Sequence, residues 1–380
     1  MRALVILHAR MRGGTLWPLA ARHKASADGE LEESRGAVAL GVAIAGALGL
    51  AALSLSVRHE VVPRGDDLIY ERMAEDPFGT HTFPFAYRIG VPWLVHVMPF
   101  GHTVSFDLLA WLAAGGAAGF AYLLMRRLDA APRLAAALAL ALALSPPMLV
   151  VGLRQGRNVD AATVLFMMAA TLFVVERRLR LLAATLALGV IVREAELFII
   201  PLAYALWAVR WWDPRAARRA GLVGAPALAV YVALHLAISS AGMAQVPGYG
   251  GSLIGERFTV IDTGLRSLFV EARRAFSVYG PLWIAAPLAL ASMAFARRGL
   301  VLVAASLVAM TFALDWGRMI LLAAPVFYPA GAFTLTRHPR WRFPALLAFA
   351  ILIVGYAIYM NHTGTRTGII DSPPPPYPVR

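Results

Sequence analysis

The chain alternates between long apolar runs and short Arg-rich segments. A helix that crosses the apolar core of a bilayer needs about 20 residues, because the core is about 30 Å thick and a helix rises about 1.5 Å per residue. Apolar runs of roughly that length therefore predict membrane-spanning helices. Nine such runs occur, at about 36–57, 104–125, 133–152, 159–175, 220–241, 279–295, 299–314, 319–335 and 344–360.

A tenth apolar region differs because charged residues interrupt it. The stretches 181–192 and 197–209 flank Arg193-Glu194-Ala195-Glu196, and each is too short to span, since a 12-residue helix is about 18 Å long. We interpret them as a hairpin of short helices that enters from and returns to the same side, with the charged run near the far interface. The pattern predicts an all-α polytopic membrane protein with about 10–11 hydrophobic helices.

The composition agrees with this interpretation. Of the 380 residues, 59% are hydrophobic and 15% are charged, whereas an average soluble domain carries about a quarter charged residues. This excess of apolar residues excludes a soluble globular protein and a disordered chain. The absence of cysteine excludes a disulfide-stabilised secreted scaffold. The chain is therefore expected to be integral to a membrane, with lipids as its surroundings.

The predicted topology explains where the excess positive charge of the chain, +13 in total, is located. With residues 1–35 in the cytoplasm, the inside segments carry 21 of the 35 basic residues and 7 of the 22 acids, and the other segments carry 14 and 15. This bias follows the positive-inside rule, so no nucleic-acid partner is implied.

The sequence divides into three parts. Residues 1–35 have no signal-peptide cleavage site and are expected to form a disordered cytoplasmic extension. Residues 36–360 form the membrane domain, and residues 361–380 are expected to form a Pro-rich extracytoplasmic tail.

Two outer segments, 58–103 and 242–278, are longer than simple turns. Loops of this size on a membrane scaffold are usually functional. In the first, a start at Gly65-Asp66 and a stop at Asp76-Pro77 predict a short helix over 67–75. A second, aromatic-rich helix near 86–97 is expected to lie along the outer interface.

Asp66 and Asp67 at the start of the first short helix allow two interpretations. In the structural one, Asp66 caps the helix and Asp67 favours its first turn, which is worth about 1 kcal/mol or less. In the catalytic one, a carboxylate held just above the membrane is a general base that takes a proton from an acceptor hydroxyl. The sequence does not choose between the two acids, because both follow the first span by a similar number of residues.

This outer loop resembles that of the multispanning C-type (GT-C) glycosyltransferases. The shared features are an early acid, short juxtamembrane helices and the approach Phe85-Ala86-Tyr87-Arg88 to the next span. Later segments are similar to bacterial members of that superfamily: Gly156-Arg157-Asn158-Val159-Asp160, Arg193-Glu194-Ala195-Glu196-Leu197-Phe198-Ile199-Ile200-Pro201 and Asp315-Trp316-Gly317-Arg318. The resemblance covers most of 36–360.

The resemblance implies a mannosyltransferase-like enzyme of the bacterial cell envelope, in the cytoplasmic membrane with its active site outside. Such an enzyme transfers a hexose or pentose, with inversion, from a polyprenyl-phosphate donor to a hydroxyl of a glycan or lipid acceptor. By position, Asp66 or Asp67 takes the role of the catalytic base. No cofactor is expected.

The phosphate of such a donor requires cations on the outside. Arginine is the expected ligand, because its planar fork binds two oxygens and stays protonated. The candidates are Arg88, Arg193, Arg266, Arg273, Arg274 and Arg318, with Arg154, Arg157 and Arg257 as further ones and Tyr70, Glu194 and Asp315 as supporting residues. Because ionisable residues inside spans are costly, we pair Arg193 with Glu194 or Glu196, and Asp315 with Arg318, in a functional or a purely structural role.

Other chemistry has weaker signals. The first outer loop holds four histidines, but none of them shares the i, i+4 spacing of a helical zinc site, so no metal site is expected. A hydrolase would need a Gly-x-Ser-x-Gly elbow, which is absent. The Gly-rich stretch 113–119 lies inside a span and predicts close helix packing.

The alternative class is a transporter or flippase for an anionic lipid or solute, because broken helices and buried Arg–Glu pairs also build transport sites. A transporter often has corresponding interrupted segments in two halves, and only one strongly interrupted pair occurs here. The enzyme is therefore favoured. A ligase- or polymerase-like membrane protein, or a noncatalytic assembly partner, is a third interpretation.

Overall fold

The described part of the chain is almost entirely helical. The computed structural model describes residues 27–56, 66–79, 82–83, 85–152, 157–238, 244–245, 272, 275–311 and 316–363. Within these ranges, five helices are long and apolar enough to cross a membrane, and they are Ser34–Ser56, His102–Arg127, Pro214–Ala237, Gly317–Arg337 and Pro339–Asn361. The all-α polytopic architecture predicted from the sequence is confirmed.

The elements are numbered here in chain order. The α-helices are α1 Ala27–Ser56, α2 Asp66–Glu75, α3 Gly90–Val97, α4 His102–Arg127, α5 Pro132–Ala143, α6 Pro146–Val151, α7 Asp160–Glu176, α8 Leu179–Val192, α9 Ile199–Trp207, α10 Pro214–Ala237, α11 Leu282–Leu288, α12 Ala294–Thr311, α13 Trp316–Ile320, α14 Ala324–Arg337 and α15 Arg342–Thr363. Short 3-10 helices are Phe85–Tyr87, Glu194–Phe198, Ala289–Ala291, Leu321–Ala323 and Pro339–Trp341. Two short strands, β1 Thr82–Phe83 and β2 Ala244–Gln245, pair in parallel.

Prolines account for two differences from the predicted helices. The run 133–152 is divided into α5 and α6, because Pro146 and Pro147 cannot donate the backbone hydrogen bonds that continue a helix. The predicted helix near 86–97 is divided in the same way, since Pro92 of α3 cannot bond back to the carbonyl of Arg88.

The disorder predicted for residues 1–35 is wrong over 27–35. These residues belong to α1, which begins at Ala27. Ala, Leu and Glu are strong helix formers, and acidic residues near a helix N-terminus are stabilising. Residues 1–26 and most of the Pro-rich tail lie outside the described residues.

The Gly-rich stretch of α4 allows close packing against α1. A Cβ atom on Gly115 would lie 2.4 Å from the carbonyl oxygen of Ala43, and one on Gly119 would lie 3.2 Å from that of Ala39. The first approach is too short for any side chain, so glycine is required there. The predicted role of this stretch in helix packing is confirmed.

Contacts at one end of the helices bring the Arg-rich connections together. The backbone N–H of Ala131 donates to Thr336 Oγ1 at 3.1 Å, and Arg298 Nη1 donates to the carbonyl of Leu206 at 3.0 Å. Trp207 Nε1 donates to the carbonyl of Val174 at 3.0 Å. The segments that the sequence analysis places inside thus lie at the end of α7 and α14 opposite to the polar cluster described below.

The other end is covered by the short elements of the first loop. Tyr70 and Met73 of α2 pack with Phe85, with Val91 of α3 and with Phe106 of α4 in one buried apolar cluster. Tyr70 and Phe85 meet edge to face, with ring centroids 5.5 Å apart. This packing fixes α2 across the ends of the longer helices, so that the start of α2 faces their polar residues.

Candidate active site

Four segments converge at the covered end of the helices. They are the start of α2, the turn that precedes α7, the break between α8 and α9, and the start of the span that contains α13 and α14. Each contributes charged side chains from a helix end, where a bundle can hold polar groups without burying them at the bilayer centre.

Arg318 on α13 connects three of these segments. Its Nη1 donates to Asp66 Oδ2 at 2.7 Å, its Nη2 donates to Asn158 Oδ1 at 3.1 Å, and its Nε donates to Asp160 Oδ2. All three guanidinium nitrogens are therefore engaged. This guanidinium is one predicted phosphate ligand, and it lies directly beside one of the two predicted bases.

Asp160 at the start of α7 holds a second arginine as well. Its Oδ1 accepts from Arg193 Nη1 and its Oδ2 from Arg318 Nε. The side chains of Asp160 and Arg193 are 2% and 5% exposed, so both charges are almost fully desolvated. One buried carboxylate thus fixes two guanidinium groups that come from different helices.

The ion pairs differ from those predicted. Arg193 pairs with Asp160, not with Glu194 or Glu196. Its backbone is extended (φ −162°, ψ 136°), and successive side chains of extended backbone point to opposite faces. Glu194 pairs with Arg88, through contacts of 2.9 and 2.5 Å.

Arg88 also contacts α2. Its Nη1 donates to Tyr70 Oη at 3.4 Å, and its guanidinium lies 5.1 Å from the centroid of the Phe85 ring. Burial raises the pKa of Tyr70 to about 12, so its hydroxyl stays protonated at physiological pH. Tyr70 therefore serves as a neutral hydrogen-bonding group that ties α2 to Arg88 and Glu194.

Arg157 provides a further connection to α2. Its Nη2 lies 3.0 Å from Glu71 Oε1 and donates to Thr103 Oγ1 at 3.2 Å. Asp66 and Glu71 thus anchor the same short helix through two different arginines. The two contacts lie at different positions on the helix, at its first residue and in its second turn.

The two predicted bases have different environments. The side chain of Asp66 is 28% exposed, whereas Asp67 as a residue is only 2% exposed. A general base has to reach a substrate hydroxyl, within about 3 Å between heavy atoms. Asp66 meets that requirement better, because it combines access with direct contact to Arg318.

Six predicted site residues cannot be placed. The following lie outside the described residues: Arg154, Arg257, Arg266, Arg273, Arg274 and Asp315. Among the residues that the structure does describe, no group of three or more His, Asp or Glu side chains could hold a metal ion.

Two residues at the centre of the cluster were not among the predicted site residues. Asp160 and Asn158 were recognised only as part of the segment Gly156-Arg157-Asn158-Val159-Asp160. The available signal was the position of an acid next to a span with two nearby polar residues. That signal also fits an ordinary helix start, because acids favour the first turn.

Comparisons with known proteins reveal a structural similarity only. No protein-family model and no curated protein matches the chain. The archaeal oligosaccharyltransferase AglB from Archaeoglobus fulgidus, in complex with an inhibitory peptide and a dolichol-phosphate, has a TM-score of 0.52 at 15% identity. That match covers 88% of this chain and 56% of the other.

Two further crystal structures of the oligosaccharyltransferase from the same organism agree. The apo form gives a TM-score of 0.52 at 14% identity over 88% of this chain and 57% of the other. The complex with Zn and sulfate gives a TM-score of 0.53 at 15% identity, and the match covers 87% of this chain and 54% of the other. The chain spans about half the length of these proteins. Its fold is that of an all-α polytopic membrane protein of the GT-C type.

Proposed function

We propose that the chain is an integral membrane glycosyltransferase. It transfers a sugar from a polyprenyl-phosphate donor to a hydroxyl group of an extracytoplasmic glycan or lipid, with inversion at the anomeric carbon. The observation that carries the proposal is the partly exposed carboxylate of Asp66, held 2.7 Å from Arg318 at the end of a GT-C-type bundle. A base and a phosphate ligand are thereby adjacent.

Arg318 and Arg193 are the proposed ligands of the donor phosphate. Both are fixed by Asp160, and preorganised guanidinium groups bind phosphate oxygens with good geometry. Their location at helix ends suits a donor whose isoprenoid chain stays in the bilayer and whose phosphate lies at the interface. Arg88 is the next candidate for the phosphate ligand. It contacts Glu194 and, through Tyr70, also holds α2 in place.

The proposed reaction is a single displacement. The acceptor oxygen forms a bond to the anomeric carbon while the bond between that carbon and the phosphate oxygen breaks. The acceptor proton goes to Asp66, and the polyprenyl phosphate leaves with the bonding electrons. The arginines stabilise the charge that develops on the leaving phosphate. One displacement inverts the configuration.

Two further observations support the donor and the sidedness. The archaeal neighbour is in complex with a dolichol-phosphate, which is a polyprenyl phosphate. The basic segments gather at the end opposite to Asp66, and by the positive-inside rule that end is cytoplasmic. The proposed active site is then extracytoplasmic.

A transporter or flippase for an anionic lipid or solute is the second candidate. The observation that favours it is the interrupted helix pair α8 and α9, whose break holds the buried Arg193 beside Asp160. Broken helices with such pairs also form transport sites. Transport would leave the sugar–phosphate bond intact, whereas transfer breaks it.

The deciding experiment supplies purified protein in nanodiscs with a panel of polyprenyl-phosphate sugars and a mixture of glycan and lipid acceptors. The proposal predicts release of sugar-free polyprenyl phosphate, detected by mass spectrometry, for at least one donor. An unchanged donor across the whole panel, together with movement of the lipid between leaflets in vesicles, would support the transporter instead.

A further inference from the structure

Among the described residues, Arg318 pairs with two carboxylates that differ in accessibility. The side chain of Asp160 is 2% exposed, and that of Asp66 is 28% exposed. Asp160 also holds Arg193, so its departure would take that partner from two cations, one of them buried. Asp66 holds only Arg318 among the described contacts of its carboxylate. Of the two acids, Asp66 is therefore the one that can leave.

The guanidinium nitrogens of Arg318 are divided between the buried turn at 158–160 and the more accessible Asp66. Nε and Nη2 form one edge of the guanidinium, and both donate to the 158–160 turn, through Asp160 and Asn158. Asn158 Oδ1 is itself fixed, because it also accepts from the backbone N–H groups of Val159 and Asp160 at 2.7 and 3.2 Å. This edge is anchored to α7, while Nη1 faces the more accessible Asp66.

The two arginines already have carboxylate partners without a substrate. Among the described residues, the ion pairs at this point join two guanidinium groups, Arg193 and Arg318, to two carboxylates, Asp66 and Asp160. A sugar phosphodiester adds a negative charge, and packing a third anion against two cations is unfavourable in a poorly solvated site. Balance is restored if one carboxylate moves away from the arginines.

We propose that the donor phosphate replaces Asp66 on Nη1 of Arg318, while Asp160 stays in place as the positioning residue for Arg193 and Arg318. This inference rests on the proposed function and adds the order of events at the same site. Before the donor binds, the base is held in an ion pair. When the phosphate takes its place, the carboxylate is released toward the acceptor hydroxyl, so that the base is available only when a donor is present.

The proposed exchange of Asp66 for the donor phosphate on Arg318 predicts a change in ligand affinity. A purely structural role for the Asp66–Arg318 ion pair would not predict this change. If Asp66 competes with the phosphate, Asp66→Asn should bind an anionic lipid more tightly than the wild-type protein, because the competing charge is lost. The probe is farnesyl phosphate, titrated into full-length protein in detergent. We expect the dissociation constant to fall by about threefold to tenfold, the factor by which occupancy of a competing state weakens apparent binding.

Two controls isolate the site. Glu71→Gln removes an acid from the same helix that pairs with Arg157 instead, and it should leave the affinity unchanged, which separates local competition from a general loss of negative charge. Farnesol tests binding of the isoprenoid chain alone, and inorganic phosphate tests binding of the phosphate alone. The affinity for neither probe should rise in Asp66→Asn as the affinity for farnesyl phosphate does.

A double-mutant cycle assigns the competition to Arg318. In an Arg318→Gln background, Asp66→Asn should no longer tighten binding of farnesyl phosphate. Equal or weaker binding by Asp66→Asn in the otherwise unchanged protein would overturn the exchange, and so would tightening of the same size in the Arg318→Gln background. Sugar transfer by the wild-type protein is measured separately, so the exchange can fail while the proposed function stands.

Discussion

Arg318 and Asp66 are 252 residues apart in the sequence, and their Nη1 and Oδ2 atoms are 2.7 Å apart. The contact joins the first outer loop to a span near the C-terminal end of the described chain. It places an accessible carboxylate beside a guanidinium whose other nitrogens are held by Asp160 and Asn158. The proposed base and the proposed phosphate ligand, from distant parts of the chain, therefore lie side by side.

The first prediction concerns the chemistry of Arg318. Arg318→Ala should weaken binding of farnesyl phosphate by about tenfold to a hundredfold, the value of one or two charge-assisted hydrogen bonds. Arg318→Lys should give an intermediate loss, because an ammonium keeps the charge but cannot contact Asp160, Asn158 and the phosphate at once. Titration in detergent measures both. Wild-type affinity in both variants would move the phosphate site to Arg193 or Arg88.

The second prediction compares two ion pairs of different burial. Asp160→Asn should lower the free energy of unfolding by about 3–5 kcal/mol, because it leaves the buried Arg193 without its counter-charge and removes one of the carboxylates that hold Arg318. Glu194→Gln should cost less, since the Glu194 side chain is 40% exposed and a glutamine amide oxygen can still accept from Arg88. Thermal melts in one detergent provide the ranking. A larger shift for Glu194→Gln than for Asp160→Asn would contradict the assigned burial.

The third prediction concerns pH. With its pKa raised to about 12 by burial, Tyr70 stays protonated over about pH 6–9, so it contributes no ionisation to the rate in that range. Tyr70→Phe should therefore retain the shape of the pH–rate profile, even if the lost contact to Arg88 lowers its height. Disappearance of a limb of the profile in this variant would show that Tyr70 exchanges a proton during the reaction.

Much of the fold could be predicted because it depends on local chemistry. The length of an apolar run determines whether a helix can span the bilayer, and the start and stop residues of α2 are adjacent to it in the sequence. The divisions at Pro146 and Pro92 were missed, because the apolar run continues through both prolines. Hydropathy is insensitive to the missing backbone N–H that causes such breaks.

The site was harder to predict because its pairs are non-local. Arg193 is followed directly by Glu194, which favours a local pair, yet its partner Asp160 lies on another helix. Likewise, Asp66 and Asp67 are equivalent in the sequence, and only the packing of Tyr70 and Phe85 turns one toward Arg318 and buries the other. The residue types were recognised, whereas the pairing required the tertiary structure.

The fourth prediction tests the sidedness. The chain has no cysteine, so single cysteines can be introduced without background. In spheroplasts, Glu75→Cys at the exposed end of α2 should react with a membrane-impermeant maleimide. Arg340→Cys, exposed at the opposite end, should react only after lysis. The reverse labelling pattern would place Asp66 in the cytoplasm and contradict an extracytoplasmic site.

The central claim is that Asp66 is the general base. Asparagine keeps the size and most of the capping ability of aspartate, so Asp66→Asn removes the negative charge and proton affinity with little effect on the start of α2. General-base catalysis contributes on the order of 10² to 10⁴ in rate. Asp67→Asn, Glu71→Gln and Glu75→Gln are the matched controls on the same helix.

The most direct test is the turnover number of Asp66→Asn on a donor and acceptor that the wild-type protein uses. We predict a loss of about 10² to 10⁴ in rate, with the protein inserted and folded and farnesyl phosphate still bound, while the three control variants transfer sugar at close to the wild-type rate. Wild-type turnover by Asp66→Asn, or a comparable loss in Asp67→Asn alone, would contradict the assignment of Asp66 as the base.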